Sequence, residues 1–222
     1  MNTYPHKLEV RFTGPPLEEG PLSTLFYFAL SAEASLKQDP FNQPVQFLEG
    51  TPMRIFSVTL PAHENGRPPE EAIDAWKKED LITPFIQELA GLVEELKPSM
   101  TTCFAAGLSR GVFIACHLAA LCPIISHVLG FAPMTRLEGL DLETLVPKIY
   151  DRKIRFYMGN RDLRTGTEHT FSLVQKLAEE AYHYRIRSSP IEMIIGPSIG
   201  YQGHGTSPEV FKAGINWIKY EL

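Results

Sequence analysis

The sequence is short of several things, and each shortage narrows what the chain can be. Only three of its 222 residues are cysteines (Cys103, Cys116, Cys122). Their spacing matches no metal framework, and all three fall in apolar segments, so small buried hydrophobes in a reducing compartment are expected. Basic residues do not outnumber acids: 21 Lys and Arg face 26 Asp and Glu, a formal net charge of −5. That balance argues against nucleic acid or an anionic membrane as a partner. No stretch approaches 18 uninterrupted apolar residues, and Met1 to Lys7 contains no apolar leader, so a cytoplasmic location without membrane contact is expected. Internal repeats and low-complexity linkers are also missing. What remains is ordinary globular composition, 44% hydrophobic and 21% charged, in a length that suits one domain spanning 1–222.

The pattern is alternating strands and helices. Residues 7–13 alternate polar and apolar and read as a half-exposed edge strand, at which a second copy of the chain could pair; the sequence does not otherwise specify an oligomeric state. Apolar runs at 22–30, 53–60, 99–106, 124–131 and 153–158 read as strands, and 191–195 as the last buried strand. Pro68-Pro69-Glu70-Glu71 carries proline and acids where a helix would start, with helical character to about Lys97 and a break near Thr83-Pro84. Further helices are expected over 112–121, 165–184 and 208–222. The segment 31–52, with Pro40, Pro44 and Pro52, has room for at most a short helix. Alternation of this kind implies an α/β fold: a mostly parallel central sheet with helices on both faces.

The most informative stretch is Gly107-Leu108-Ser109-Arg110-Gly111, between an uncharged strand and an apolar helix. G-x-S-x-G in that context is the nucleophile elbow. A serine on so sharp a turn needs small neighbours, because the two backbones approach closely. The turn exposes its hydroxyl and puts the next N–H at a helix start, where an oxyanion is favoured. A serine nucleophile needs a base, and the base an orienting acid, all at carboxyl ends of strands. Asp162 follows the strand 153–158, and His204 follows 191–195 in a glycine-flanked loop. The order Ser109, Asp162, His204 is that of a Ser-Asp-His hydrolase. His117 lies eight residues along the helix, about 12 Å away, and does not compete. His63, after the strand ending at Leu60, is the other histidine on that edge.

These motifs, with Gly159-Asn160-Arg161-Asp162, Gly203-His204-Gly205 and Leu60-Pro61-Ala62-His63, resemble the α/β-hydrolase superfamily, and within it the compact dienelactone-hydrolase-like and esterase-like members. The resemblance implies the α/β-hydrolase fold and a carboxylesterase-like serine hydrolase that cleaves a small soluble substrate through an acyl-enzyme, without cofactor or metal. One departure is visible. Such proteins usually follow the third strand with His-Gly, whereas this chain has Phe28-Ala29-Leu30-Ser31-Ala32. The oxyanion donors are therefore expected to be the backbone N–H of Arg110 and that of Ser31 or Ala32. The connection 134–152 is too short for a large cap. Arg161 and Arg164, with His63, are candidate substrate contacts, and the arginines would suit an anionic group. A peptidase or thioesterase on the same three residues, or a catalytically silent binding protein of this fold, remains open at this point.

Overall fold

The computed structural model describes residues 1–4, 6–64, 68, 71–78 and 80–222. The elements, in chain order, are β1 (Asn2–Tyr4), β2 (Val10–Thr13), β3 (Leu22–Phe28), α1 (Ala32–Lys37), α2 (Gln43–Phe47), β4 (Met53–Val58), α3 (Ala72–Lys78) and α4 (Ile82–Leu96). They continue with β5 (Met100–Leu108), α5 (Arg110–Leu121), β6 (Ile125–Phe131), α6 (Val146–Ile149), β7 (Lys153–Gly159), α7 (Thr167–His183), β8 (Ile191–Gly196) and α8 (Pro208–Tyr220). All eight strands form one sheet in the order β1-β2-β4-β3-β5-β6-β7-β8. The β1–β2 and β2–β4 pairs are antiparallel, and every pair from β4 across to β8 is parallel.

The central strands lack a polar face because both faces are covered. Along β3, Phe26 and Phe28 enter one core and Leu25 and Tyr27 the other; along β5, Cys103 and Ala105 face the first and Phe104 and Ala106 the second. The first core is closed by α3, α4, α5, α6 and α7 through side chains such as Trp76, Leu89, Phe113, Ile149 and Leu173. The second is closed by α1, α2 and α8 through Leu36, Val45, Phe211 and Ile218. The three cysteines are buried and free.

Four expectations need correction. The strand at residues 7–13 is β2, and it is not an edge, because β1 pairs with its outer side. A strand of three residues leaves almost no period-2 signal. The last strand, β8, is not buried: it forms the opposite edge, with Ile194 and Ile195 at 40% and 52% exposure. An apolar run reads the same in sequence whether both faces or only one are covered. The segment 31–52 holds two short helices, α1 and α2, rather than one. The helical stretch before Lys97 is two helices that part before Leu81, with Pro84 inside the first turn of α4, where a missing N–H costs nothing. The expected helix start at Pro69-Glu70 lies outside the described residues.

Candidate active site

The strand-to-helix turn at Ser109 is enforced by glycines on both sides. A Cβ at Gly107 would lie 2.1 Å from the Gly111 carbonyl carbon, and one at Gly111 would lie 1.8 Å from the Phe28 carbonyl oxygen. Only glycine fits either position. Ser109 itself sits at φ +54°, ψ −111°, outside the helical and extended regions. Backbone bonds hold it there: its N–H donates to the Phe131 carbonyl at 2.8 Å, and its carbonyl accepts from Met134 at 3.2 Å. The serine thus stands at the carboxyl edge of the sheet, immediately before α5.

Two loops from neighbouring strands reach the same point. Asp162, 2% exposed, is fixed by the turn after β7. Its Oδ1 accepts the N–H groups of Arg164 (2.9 Å) and Thr165 (3.0 Å), and its own N–H donates to Thr167 Oγ1. His204 lies in the loop between β8 and α8. Its Nδ1–H donates to Asp162 Oδ2 at 2.7 Å, and its Nε2 is 2.8 Å from Ser109 Oγ. Because Nδ1 carries the proton, Nε2 is the acceptor for the serine hydroxyl. Burial pushes the Asp162 carboxyl toward neutrality, but the His204 hydrogen bond and the two backbone N–H groups outweigh it and hold its pKa below the ordinary value. It is therefore a carboxylate at neutral pH.

Ser198 braces both loops, a role the sequence did not suggest. Its hydroxyl accepts the Arg161 N–H at 2.6 Å, its N–H donates to Asn160 Oδ1 at 3.1 Å, and Gly203 packs against its Cβ. Gly203 has φ +76°, and a side chain there would strike the Arg161 carbonyl.

The other expected site residues divide sharply. The hydroxyl of Ser31 caps α1 by accepting the Ala34 N–H, and the Ala32 N–H is committed to Thr59 Oγ1 at 2.9 Å. Neither residue lines the cavity at Ser109; Ala29 and Leu30 do. Strand β3 ends at Phe28, two residues before the expected end at Leu30. The Leu30 N–H has only a long 3.3 Å contact to Ser35 Oγ, and Ala29 a 3.1 Å one. Arg110 begins α5, whose N-terminal amides carry partial positive charge.

His63 does not reach substrate space. It is 5% exposed, packs edge-on to Trp76, donates from Nδ1 to the Pro61 carbonyl at 2.9 Å and accepts from Arg110 Nη1 on Nε2 at 2.9 Å. Burial, with help from Arg110, lowers its pKa to about 4 against a smaller opposing pull from Pro61 and Glu64. Arg161 is exposed and contributes backbone bracing rather than a cavity wall. Arg164 does border Ser109, in both cavities that meet there. The first, about 300 Å³, is walled largely by Leu30, Phe41, Leu108 and Phe211. The second, about 480 Å³, is bordered by Ile73, Met134 and Leu137 as well as by Ser109, Arg110 and Arg164. The connection between β6 and β7 borders the second cavity with Met134, Arg136 and Leu137 and buries Leu142, Leu145 and Ile149 in the core. Among the described residues no group of His, Cys, Asp and Glu could hold a metal ion, and no helix is long and apolar enough to cross a membrane.

A mostly parallel sheet with this order, two antiparallel strands at one end and helices on both faces is the α/β-hydrolase fold. Solved structures with that fold are similar over nearly the whole chain. TT1662 from Thermus thermophilus is 16% identical with a TM-score of 0.71, covering 96% of this chain and 93% of its own. Est1E from Butyrivibrio proteoclasticus, bound to ferulic acid, is 11% identical with a TM-score of 0.69, covering 96% and 94%. A cold-adapted esterase from an Arctic intertidal metagenomic library is 14% identical with a TM-score of 0.72, covering 97% and 88%. No family model matches the sequence, and no curated protein matches it.

Proposed function

We propose that the protein is a serine esterase acting on a small soluble ester, with Ser109 as nucleophile, His204 as general base and Asp162 as the orienting acid. The observation that carries this reading is the unbroken chain Ser109–His204–Asp162, with contacts of 2.8 and 2.7 Å, at the mouth of a cavity. The strained turn at Ser109 is then a nucleophile elbow, and its conformation serves to present the hydroxyl.

In the first step Ser109 Oγ attacks the carbonyl carbon while its proton passes to His204 Nε2. The negative charge that forms on the carbonyl oxygen is met by the N–H groups of Arg110 and Leu30; Leu30 replaces Ser31 and Ala32 in this role. Collapse of the intermediate breaks the carbon–oxygen bond of the ester, and the alcohol leaves with the proton held by His204. Water, deprotonated by the same histidine, then attacks the acyl-serine and releases the acid. One ester and one water yield one acid and one alcohol. Asp162 stays ionised throughout and stabilises the imidazolium.

The esterases among the structural neighbours, and ferulic acid bound to one of these neighbours, support an ester rather than a peptide as substrate. The Leu30 N–H is the specific observation that favours a silent binding protein instead, since it is already in contact with Ser35 Oγ. Turnover of p-nitrophenyl butyrate separates the two. The esterase reading expects burst kinetics, with Ser109→Ala and His204→Ala each losing at least about 10³-fold in kcat. Absence of turnover of this and a panel of short esters by folded protein would favour the silent reading.

A further inference from the structure

The two cavities that meet at Ser109 differ in charge. Both are bordered by Arg110 and Arg164; the smaller is otherwise walled mainly by apolar residues such as Leu30, Phe41 and Phe211, whereas the larger adds Lys77 of α3 and Arg136 after β6. Asp74 is the sole carboxylate residue of that lining among the described residues. Among the described residues, four cations against one acid reverse the balance of a chain whose formal net charge is −5. Lys77, Arg136 and Arg164 form no ion pair with any described residue. Arg110 is held differently. It is 7% exposed, and the bond from its Nη1 to His63 Nε2 fixes the guanidinium at the border of both cavities. The Pro61 carbonyl fixes the tautomer of His63 that can accept that bond.

We infer that the larger cavity receives an anionic group, a carboxylate or phosphate, carried by one half of the substrate while the apolar half fills the smaller cavity. This rests on Ser109 being the nucleophile. Guanidinium forks from separate loops suit the paired oxygens of such a group. His63 acts as a positioning residue, because it orients Arg110 without reaching the ligand. Arg136, Arg164 and Lys77 are exposed, so their attraction is partly screened and weakens with salt.

The test uses matched esters that differ only in charge. On the alcohol side, 4-carboxyphenyl and 4-phosphonooxyphenyl butyrate are compared with neutral 4-carbamoylphenyl butyrate. On the acyl side, phenyl hydrogen glutarate is compared with phenyl glutaramate. The inference expects kcat/KM to favour an anionic member by about tenfold in one series at low salt, carried by KM. Carboxylate and phosphate are separated by which alcohol-side ester gains. The preference should fall toward unity in Arg136→Met with Arg164→Met, and in 0.5 M salt on the order of threefold. His63→Phe should lower it and His63→Gln, which keeps an acceptor, should restore it. Labelling of Ser109 by a fluorophosphonate is run on every protein. Labelling without any preference for charge, or a preference unaffected by the arginine substitutions, overturns this inference alone. No labelling of folded wild type overturns the esterase reading and this inference with it.

Discussion

Asp162→Asn is the substitution whose consequence follows most directly from the geometry. Oδ1 of Asp162 accepts two backbone N–H groups, from Arg164 and Thr165, while Oδ2 accepts the proton of His204 Nδ1. An asparagine would keep its carbonyl oxygen on the two backbone donors, since its amide nitrogen cannot accept from them. That orientation turns the NH₂ toward His204 Nδ1. Two donors cannot face each other, so the imidazole must move its proton to Nε2. Nε2 would then donate toward Ser109 Oγ rather than accept from it, and the serine loses its base. The expected fall in kcat is about 10³–10⁴-fold, or roughly 4–5.5 kcal/mol of barrier. KM for a neutral ester should change far less, because Asp162 is buried away from the cavities. Stability should fall by about 1–3 kcal/mol as one charge-assisted bond is lost. Steady-state kinetics on p-nitrophenyl butyrate, with urea denaturation to confirm folding, checks both numbers. A folded Asp162→Asn protein that keeps more than about a tenth of wild-type kcat would refute the reasoning.

Further predictions concern the scaffold. Arg54, wholly buried without a carboxylate partner, donates to the carbonyls of Pro15, Pro16, Gly20 and Ser99 at 2.7–3.1 Å. Arg54→Met should cost about 3–5 kcal/mol by urea denaturation, and a loss under about 1 would show that those carbonyls find other donors. Gly111→Ala should prevent folding or cost more than about 3 kcal/mol, given the 1.8 Å clash with Phe28. Gly91→Ala, in open space on α4, should stabilise by roughly 0.5–1 kcal/mol; similar melting temperatures for the two variants would contradict the packing described. Burial lowers the pKa of His63 (to about 4), His117 and His127. Between pH 6.5 and about 4 the unfolded chain binds protons that the folded chain rejects, so stability must fall with acid in that window. His63 alone contributes about 3 kcal/mol across it, and His63→Gln should flatten the profile measured by denaturation at each pH.

The parts of the site legible in the sequence were those governed by local sterics or by position at a strand end. Gly107 is dictated by its contact with Gly111, within a few residues of Ser109, so the turn could be read from five letters, although Gly111 also has to clear Phe28 on the neighbouring strand. Asp162 and His204 could be placed because strands β7 and β8 were recognisable and their following loops were short. Residues whose role depends on distant partners were not legible. The Ala32 N–H looks available in the sequence, but Thr59, 27 residues away, takes it. Arg54 reads as a polar position within a strand, and nothing local reveals that five carbonyls from two segments, residues 15–20 and Ser99, converge on it. Lys77 of α3 and Arg136 after β6 meet Arg164 only at the cavity they share, both distant from it in sequence. The edges of the sheet failed for a related reason: whether a strand has a neighbour is a property of the pairing, not of its own sequence.

The most direct measurement of the central claim is intact-mass analysis after treatment with a fluorophosphonate, on wild type and on Ser109→Ala. The account predicts a single adduct on wild type, none on Ser109→Ala, and labelling slowed by at least about 10²-fold in His204→Ala. A folded wild type that stays unlabelled, or an adduct that persists in Ser109→Ala, would contradict it.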